Sequence, residues 1–282
     1  MPSTRELRRR IRSARVTKQI TKAQEMIAAA RLRQATHAAL SSREYAAELN
    51  RLLGTLLKSK EDPPSHPWLT LDTDKPHLIL AIASDQGLAG PFQGNLLRAA
   101  VRLHEDERQT VFLAVGKRLS GSLRRLHYPL LSEEFIMPRQ PTAADAEQLS
   151  DLIGGLLVQK KISGVSILST RYRSAVVQET QCSKLLPLDQ AEAGEGASPL
   201  YEPTPNAVLA RLLPQYLSGT IYSALMDSKA SEYAARRTAM HAATDNAEDL
   251  IGRLTLTYNR VRQAAITTEI AEIVGGAAAL SL

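Results

Sequence analysis

The sequence predicts an α/β protein, in which a long antiparallel coiled coil of N- and C-terminal helices carries a central α/β domain. Three observations lead there. From Ser3 to about Lys58 there is no proline and one glycine, Gly54, so nothing interrupts a helix. Between about residues 75 and 190, short apolar runs alternate with stretches of helical periodicity. From Thr204 a helical pattern continues almost to Leu282. The composition agrees: 44% of residues are hydrophobic but only 4% are aromatic, a mix that favours closely packed helices over a bulky globular core.

The first helix is expected to start at Ser3-Thr4-Arg5-Glu6, which has the spacing of a capping box. Val16, Ile20, Ala23, Ile27 and Ala30 then follow the alternating four- and three-residue steps of a coiled-coil seam. A rod of this length, roughly 80 Å at 1.5 Å per residue, cannot be enclosed by one domain. Glu61-Asp62-Pro63-Pro64-Ser65-His66-Pro67 ends it, because its prolines lack the donors and backbone angles a helix needs.

Three apolar runs read as buried strands: His77 to Ala83, Val111 to Val115 and Val165 to Ser169. Helical patterns lie at about 91–105, 117–126 and 142–160. That alternation predicts a parallel sheet covered on both faces, a Rossmann-like α/β domain. Residues 190–205, rich in Gly, Pro, Ala and Glu, read as an exposed connection. Thr204 and Pro205 supply an N-cap and a first-turn proline for the last helix, and Pro214 should bend it. Leu250, Leu254, Thr257, Val261, Ala264, Thr268, Ala271 and Gly275 continue at heptad spacing. The expected parts are therefore a helix over 1–60, an α/β domain over 75–190 and a helix over 204–282. The two helices pair with each other, and their many small seam residues bury little apolar area, so the pair depends on its length or on an outside partner.

The formal charge of +6 is concentrated at the N-terminus, where residues 1–33 hold ten Lys or Arg against Glu6 and Glu25. Such a helix reads as a nucleic-acid arm, as a contact for an acidic protein surface, or as a solvated face. It has no aromatic residue to stack on bases. Cys182 is the single cysteine, so no disulfide can form within the chain and a reducing compartment is expected. No stretch reaches 18 apolar residues, and Met1 to Arg12 lacks the apolar segment of a secretory signal.

Ser84-Asp85-Gln86-Gly87-Leu88-Ala89-Gly90 stands where a phosphate-binding turn would lie, but its spacing is neither GxGxxG nor GxxxxGK[ST]. A strand-to-helix turn, capped by Asp85 and eased by Gly87, is the expectation. The six histidines show no metal-ligand spacing, no GxSxG elbow occurs, and no catalytic constellation is evident. Neither cofactor nor metal is expected. On the last helix Arg260, Arg262, Gln263, Thr267, Thr268 and Glu269 crowd polar groups beside the seam. They read either as an ordinary wet face or as handles for a surrounding protein.

Arg5 to Ala35 (RELRRRIRSARVTKQITKAQEMIAAARLRQA) and Ser231 to Leu280 resemble the gamma subunits of F-type ATP synthases. SDQGLAGPFQGNL (Ser84 to Leu96) and YEPTPNAVLARLLPQYL (Tyr201 to Leu217) fit the same family in the same order. The resemblance implies a rotor shaft without chemistry of its own. Its terminal helices would sit inside an alternating hexamer of alpha and beta subunits. Its α/β domain would meet the epsilon subunit and the ring of c subunits, whose ion-driven rotation is coupled to ATP synthesis on beta. It implies a peripheral place on the cytoplasmic face of a bacterial cell membrane, with the membrane reached only through the complex, and no nucleic-acid partner.

Residue by residue, the resemblance implies that Arg262 and Gln263 bond a beta loop, with Thr267 among the same handles. It implies that Met26 faces the beta lever region, and that Arg8, Arg9, Lys18 and Lys22 suit an acidic partner. Gln86 stands where the family usually has Arg, Ala89 where it commonly has Cys, and Gln24 where it usually has Met. A cysteine pair like that of chloroplast members is absent.

Overall fold

A computed structural model describes residues 3–57, 66–69, 74–106, 109–131, 135–188 and 201–280. Most of the proline-rich boundary at 61–67 and of the connection expected at 190–205 lies outside the described residues. The elements are α1 (Thr4–Leu57), β1 (His77–Ile82), α2 (Phe92–Asp106), β2 (Thr110–Val115), α3 (Lys117–Arg125), α4 (Ala143–Val158), β3 (Gly164–Tyr172), β4 (Gln178–Leu186) and α5 (Pro205–Leu280). They form two compact units, Met1–Ala28 with Arg237–Leu282 and Ala29–Arg236.

In the larger unit the sheet order is β2-β1-β3-β4. β1 pairs in parallel with β2 and with β3, while β3 and β4 are antiparallel. The sheet is thus mixed, not wholly parallel as the alternation of strands and helices predicts. β4 escapes a search for apolar runs because its sequence, QETQCSKLL, is mostly polar and mostly solvent-facing until Leu185 and Leu186. A short hairpin suffices to add it at the edge.

The two sides of β1 account for its unbroken apolar run. Leu78, Leu80 and Ile82 join a core with Leu149, Ile153 and Leu157 of α4, Leu49, Leu53 and Leu56 of α1, and Leu213, Leu217 and Ile221 of α5. Ile79, Ala81 and Ala83 join Leu96 and Ala100 of α2 and Leu119 and Leu123 of α3. A strand covered on both faces has no polar side to alternate with. Within this unit Leu32, Ala35 and Ala39 of α1 meet Met226, Ala230 and Tyr233 of α5.

The turn at Ser84 to Gly90 behaves as a strand-to-helix turn. Asp85 Oδ1 accepts the Lys117 N–H at 2.8 Å and so caps α3 across the loop. That carboxylate occupies the place where a phosphate would need free donors. Gly116 has φ 109°, and a Cβ there would lie 3.0 Å from the Ala83 carbonyl carbon, so glycine is required.

The helix ends match their sequence signals in part. Thr204 Oγ1 accepts the Ala207 N–H at 3.2 Å, the expected cap of α5. Ser3 Oγ accepts the Glu6 N–H at 3.2 Å, but the Glu6 carboxylate takes the Arg10 guanidinium at 2.6 Å. A charged fork one turn away outcompetes the backbone for that carboxylate.

The seam of α1 runs on a different face from the one its most apolar residues predict. Leu7, Ile11, Ala14, Thr21 and Ala28 are buried, with Lys18 and Glu25 half-buried between them. Val16 (48% exposed), Ile20 (56%) and Ile27 (47%) face outward. On α5 the inward positions are Met240, Thr244, Ala247, Ile251, Leu254, Tyr258 and Val261, so Leu254 and Val261 fall on the expected seam while Leu250 and Thr257 are exposed. Both true seams keep the four-three step of a coiled coil. On α1 the small and polar members of the seam make it less apolar than the stripe facing solvent, which is why hydrophobicity alone selects the wrong phase there.

Candidate interaction surface

In the smaller unit four links hold the helices in one antiparallel register. Arg8 Nε and Nη2 donate to the Tyr258 hydroxyl oxygen at 2.8 and 2.6 Å, with the guanidinium 5.3 Å from the ring centroid. Lys18 Nζ lies 2.8 Å from Glu248. Thr244 Oγ1 and Thr21 Oγ1 are 2.8 Å apart and buried. His241 Nδ1 lies 3.3 Å from Glu25. Between the links the small residues leave a groove of ≈ 600 Å³, lined by Ala14, Thr17, Ala243, Ala247 and Leu254 among others.

That register brings Ser3 level with about Gln263. Further along, none of the described residues of the N-terminal helix lies beside α5, and residues 262–274 are exposed without exception. Ile266 (46% exposed), Ile270 (56%), Ile273 (71%) and Val274 (62%) stand among them. An exposed apolar helix of this kind gains nothing from its own chain and calls for a partner around it.

The sequence-predicted contact residues separate into three groups. Arg8, Lys18 and Lys22 are engaged on the helix pair itself, the last with Glu25 at 3.1 Å. Arg9 and Met26 are exposed, Met26 by 59%. Arg262, Gln263 and Thr267 lie on the bare stretch of α5, where the Thr267 hydroxyl donates to the Gln263 carbonyl at 2.9 Å. Beside Met26, the outward Val16, Ile20 and Ile27 add an apolar stripe that sequence reasoning assigned to the interior. Its signal was legible as a second heptad phase running parallel to Leu7, Ile11 and Ala14.

Among the described residues no group of three His, Cys, Asp or Glu could hold a metal, and no helix is long and apolar enough to cross a membrane. The arrangement offers what a protein-binding surface needs: long exposed helix faces, apolar stripes, and cations at their margins.

Comparison with known proteins gives one answer. A family model described as ATP synthase matches residues 3–280. The ATP synthase gamma chain of Halothermothrix orenii is 38% identical, with 99% of this chain and 100% of that protein covered. That of Heliobacterium modesticaldum is also 38% identical, over 99% and 100%. Among solved structures, a chain of the Euglena gracilis mitochondrial ATP synthase (OSCP, F1 and c-ring, rotational state 3) has a TM-score of 0.70 at 19% identity, covering 98% of this chain and 94% of that one. A chain of the Tetrahymena thermophila mitochondrial ATP synthase central stalk and c-ring has a TM-score of 0.62 at 22% identity, covering 79% and 99%. At these identities the solved structures share the fold, and the curated relatives carry the kinship: the chain belongs to the ATP synthase gamma chain family.

Proposed function

We propose that the chain is the central rotor shaft of an F-type ATP synthase, coupling ion-driven rotation of a c-ring to ATP synthesis on the beta subunits. The observation that carries this reading is the bare end of α5. Thirteen consecutive exposed residues, 262–274, four of them large and apolar, suit a helix that works inside a sleeve of other subunits. The outward stripe of Val16, Ile20 and Ile27 supports the same reading for α1. Alternating alpha and beta subunits form the sleeve, while the α/β domain meets epsilon and the c-ring.

An asymmetric shaft does no bond chemistry. It acts by fitting three otherwise identical beta subunits differently, so that each holds a different nucleotide affinity. In this reading Arg262, Gln263 and Thr267 bond a beta loop, Met26 faces the beta lever region, and Arg8, Arg9, Lys18 and Lys22 set a positive field towards acidic partner faces. The shaft works at the cytoplasmic face of a bacterial cell membrane, attached through the complex.

The test is a chain ending at Val261. It should still co-purify with alpha and beta chains yet lose most coupled ATP synthesis. Synthesis at the full-length rate, or a chain that never co-purifies with those subunits at full length, would count against the shaft.

A further inference from the structure

Eleven consecutive residues of α5, Met226 to Arg236, are buried, so within the larger unit the helix is enclosed on every side over about three turns. Four of them are ionisable with charged side chains: Asp227, Lys229, Glu232 and Arg236. Glu232, 1% exposed, takes Lys229 Nζ at 2.9 Å and Arg236 Nη2 at 2.7 Å. Arg236 also donates to the Gly87 carbonyl at 3.2 Å, in the turn after β1. The Tyr233 hydroxyl donates to the Arg139 carbonyl at 3.3 Å, and Ser231 Oγ donates to the Thr170 carbonyl of β3 at 3.0 Å. A single stretch of helix is therefore tied by directional bonds to three separate segments of the α/β domain.

Adhesion alone does not call for such groups. Apolar side chains of the same volume would hold the helix at least as well, because a buried ion pair must first lose its water. What polar ties add is a unique register: packed apolar ridges can settle one turn along or around, whereas the Arg236, Tyr233 and Ser231 donors meet the Gly87, Arg139 and Thr170 carbonyls in one position only.

We propose that Arg236, braced within α5 by the Glu232 carboxylate that Lys229 also holds, is a mechanical lock that fixes α5 to the Gly87 turn of the α/β domain, so that torque applied to that domain reaches the helix without slip under load. Glu232 is the positioning residue, acting through Arg236 on the Gly87 turn. The inference rests on reading the chain as a rotor shaft, and it places torque transfer in residues distinct from those that touch the alpha and beta subunits.

The experiment uses the whole membrane-bound complex. One variant carries Lys229→Met, Glu232→Met and Arg236→Met together, which keeps the volume apolar and packed; a second carries Arg236→Lys, which keeps the charge but shortens the reach to Gly87. ATP hydrolysis and ATP-driven ion pumping are measured as the opposing gradient builds. The triple variant should hydrolyse ATP within twofold of wild type, melt no lower, and pump at least threefold fewer ions per ATP once the gradient is established. Arg236→Lys should lose less, in the same direction. A merely structural role would lower hydrolysis and pumping together and leave their ratio unchanged. Wild-type ratios under load in the triple variant overturn the lock, and if that variant does not assemble, a wild-type ratio in Arg236→Lys does so. A wild-type complex whose pumping does not depend on this chain at all would instead sink the shaft reading.

Discussion

Arg43 Nε lies 3.0 Å from both carboxylate oxygens of Asp227, and the same guanidinium reaches the Tyr172 carbonyl at the end of β3. Burial is the largest influence on Asp227 and raises its pKa, with Arg43 opposing that shift. Removing the guanidinium leaves a carboxylate that is only 10% exposed without its counter-charge. Arg43→Met should therefore destabilise the larger unit by about 2–3 kcal/mol, read from urea unfolding at neutral pH. An unchanged midpoint would show the pair to be incidental.

The same pair fixes a pH dependence. A carboxyl whose native pKa is raised holds its proton more tightly when folded. Its contribution is best below the unfolded pKa, falls as pH rises through the native value, and is level above it. Urea unfolding across the acid range should show this falling component in the wild type and not in Asp227→Asn. A component of opposite sign would mean that Arg43, and not burial, dominates.

Thr21 and Thr244 form a buried hydroxyl contact in the helix pair. Each hydroxyl also reaches a carbonyl of its own helix, Lys18 at 3.1 Å and Met240 at 2.8 Å. Replacing one by valine leaves the other with only its own-helix carbonyl and an unmatched buried oxygen, at a cost of about 1 kcal/mol, whereas replacing both should be nearly neutral. A double-mutant cycle checks this, with a coupling of about 1 kcal/mol expected and additive costs as the contrary result.

The two faces of α1 predict opposite outcomes for one substitution. Ile20→Asp, on the outward stripe, should change the stability of the isolated chain by less than about 0.5 kcal/mol while sharply reducing assembly with alpha and beta subunits. Leu32→Asp, in the core with Tyr233, should prevent folding, because an unpaired carboxylate enters an apolar contact. Circular dichroism and size-exclusion chromatography distinguish the two. An assembled Ile20→Asp complex would mean the stripe faces nothing.

These cases also mark how far the sequence could be read. The strands at His77, Val111 and Val165 were legible because burial on both faces leaves unbroken apolar runs. The cap at Thr204 was legible because its chemistry is local. β4 was not, since an edge strand made by a hairpin needs no apolar face. Hydrophobicity alone picks the wrong face of α1, because the residues that meet α5 include the polar Lys18, Thr21 and Glu25. The Glu232 triad was invisible for another reason: Lys229, Glu232 and Arg236 have the i, i+3 and i+4 spacing of any solvated helix, and only the surrounding fold makes them buried.

Gln263 lies on the bare stretch of α5, so Gln263→Leu should leave the chain's melting unchanged. In the complex it should lower ATP synthesis severalfold through loss of a partner hydrogen bond. Synthesis at the wild-type rate would remove Gln263 from the contact surface.

Rotation itself is the most direct test of the account. Cys182 is exposed on β4, and a polarised fluorophore attached there, in a complex whose alpha and beta cysteines have been replaced, reports the orientation of the chain. With the alpha and beta subunits held on a surface and ATP supplied, the account predicts that the probe turns continuously in one direction through three dwell positions. A probe that keeps a fixed orientation while ATP is hydrolysed would contradict it.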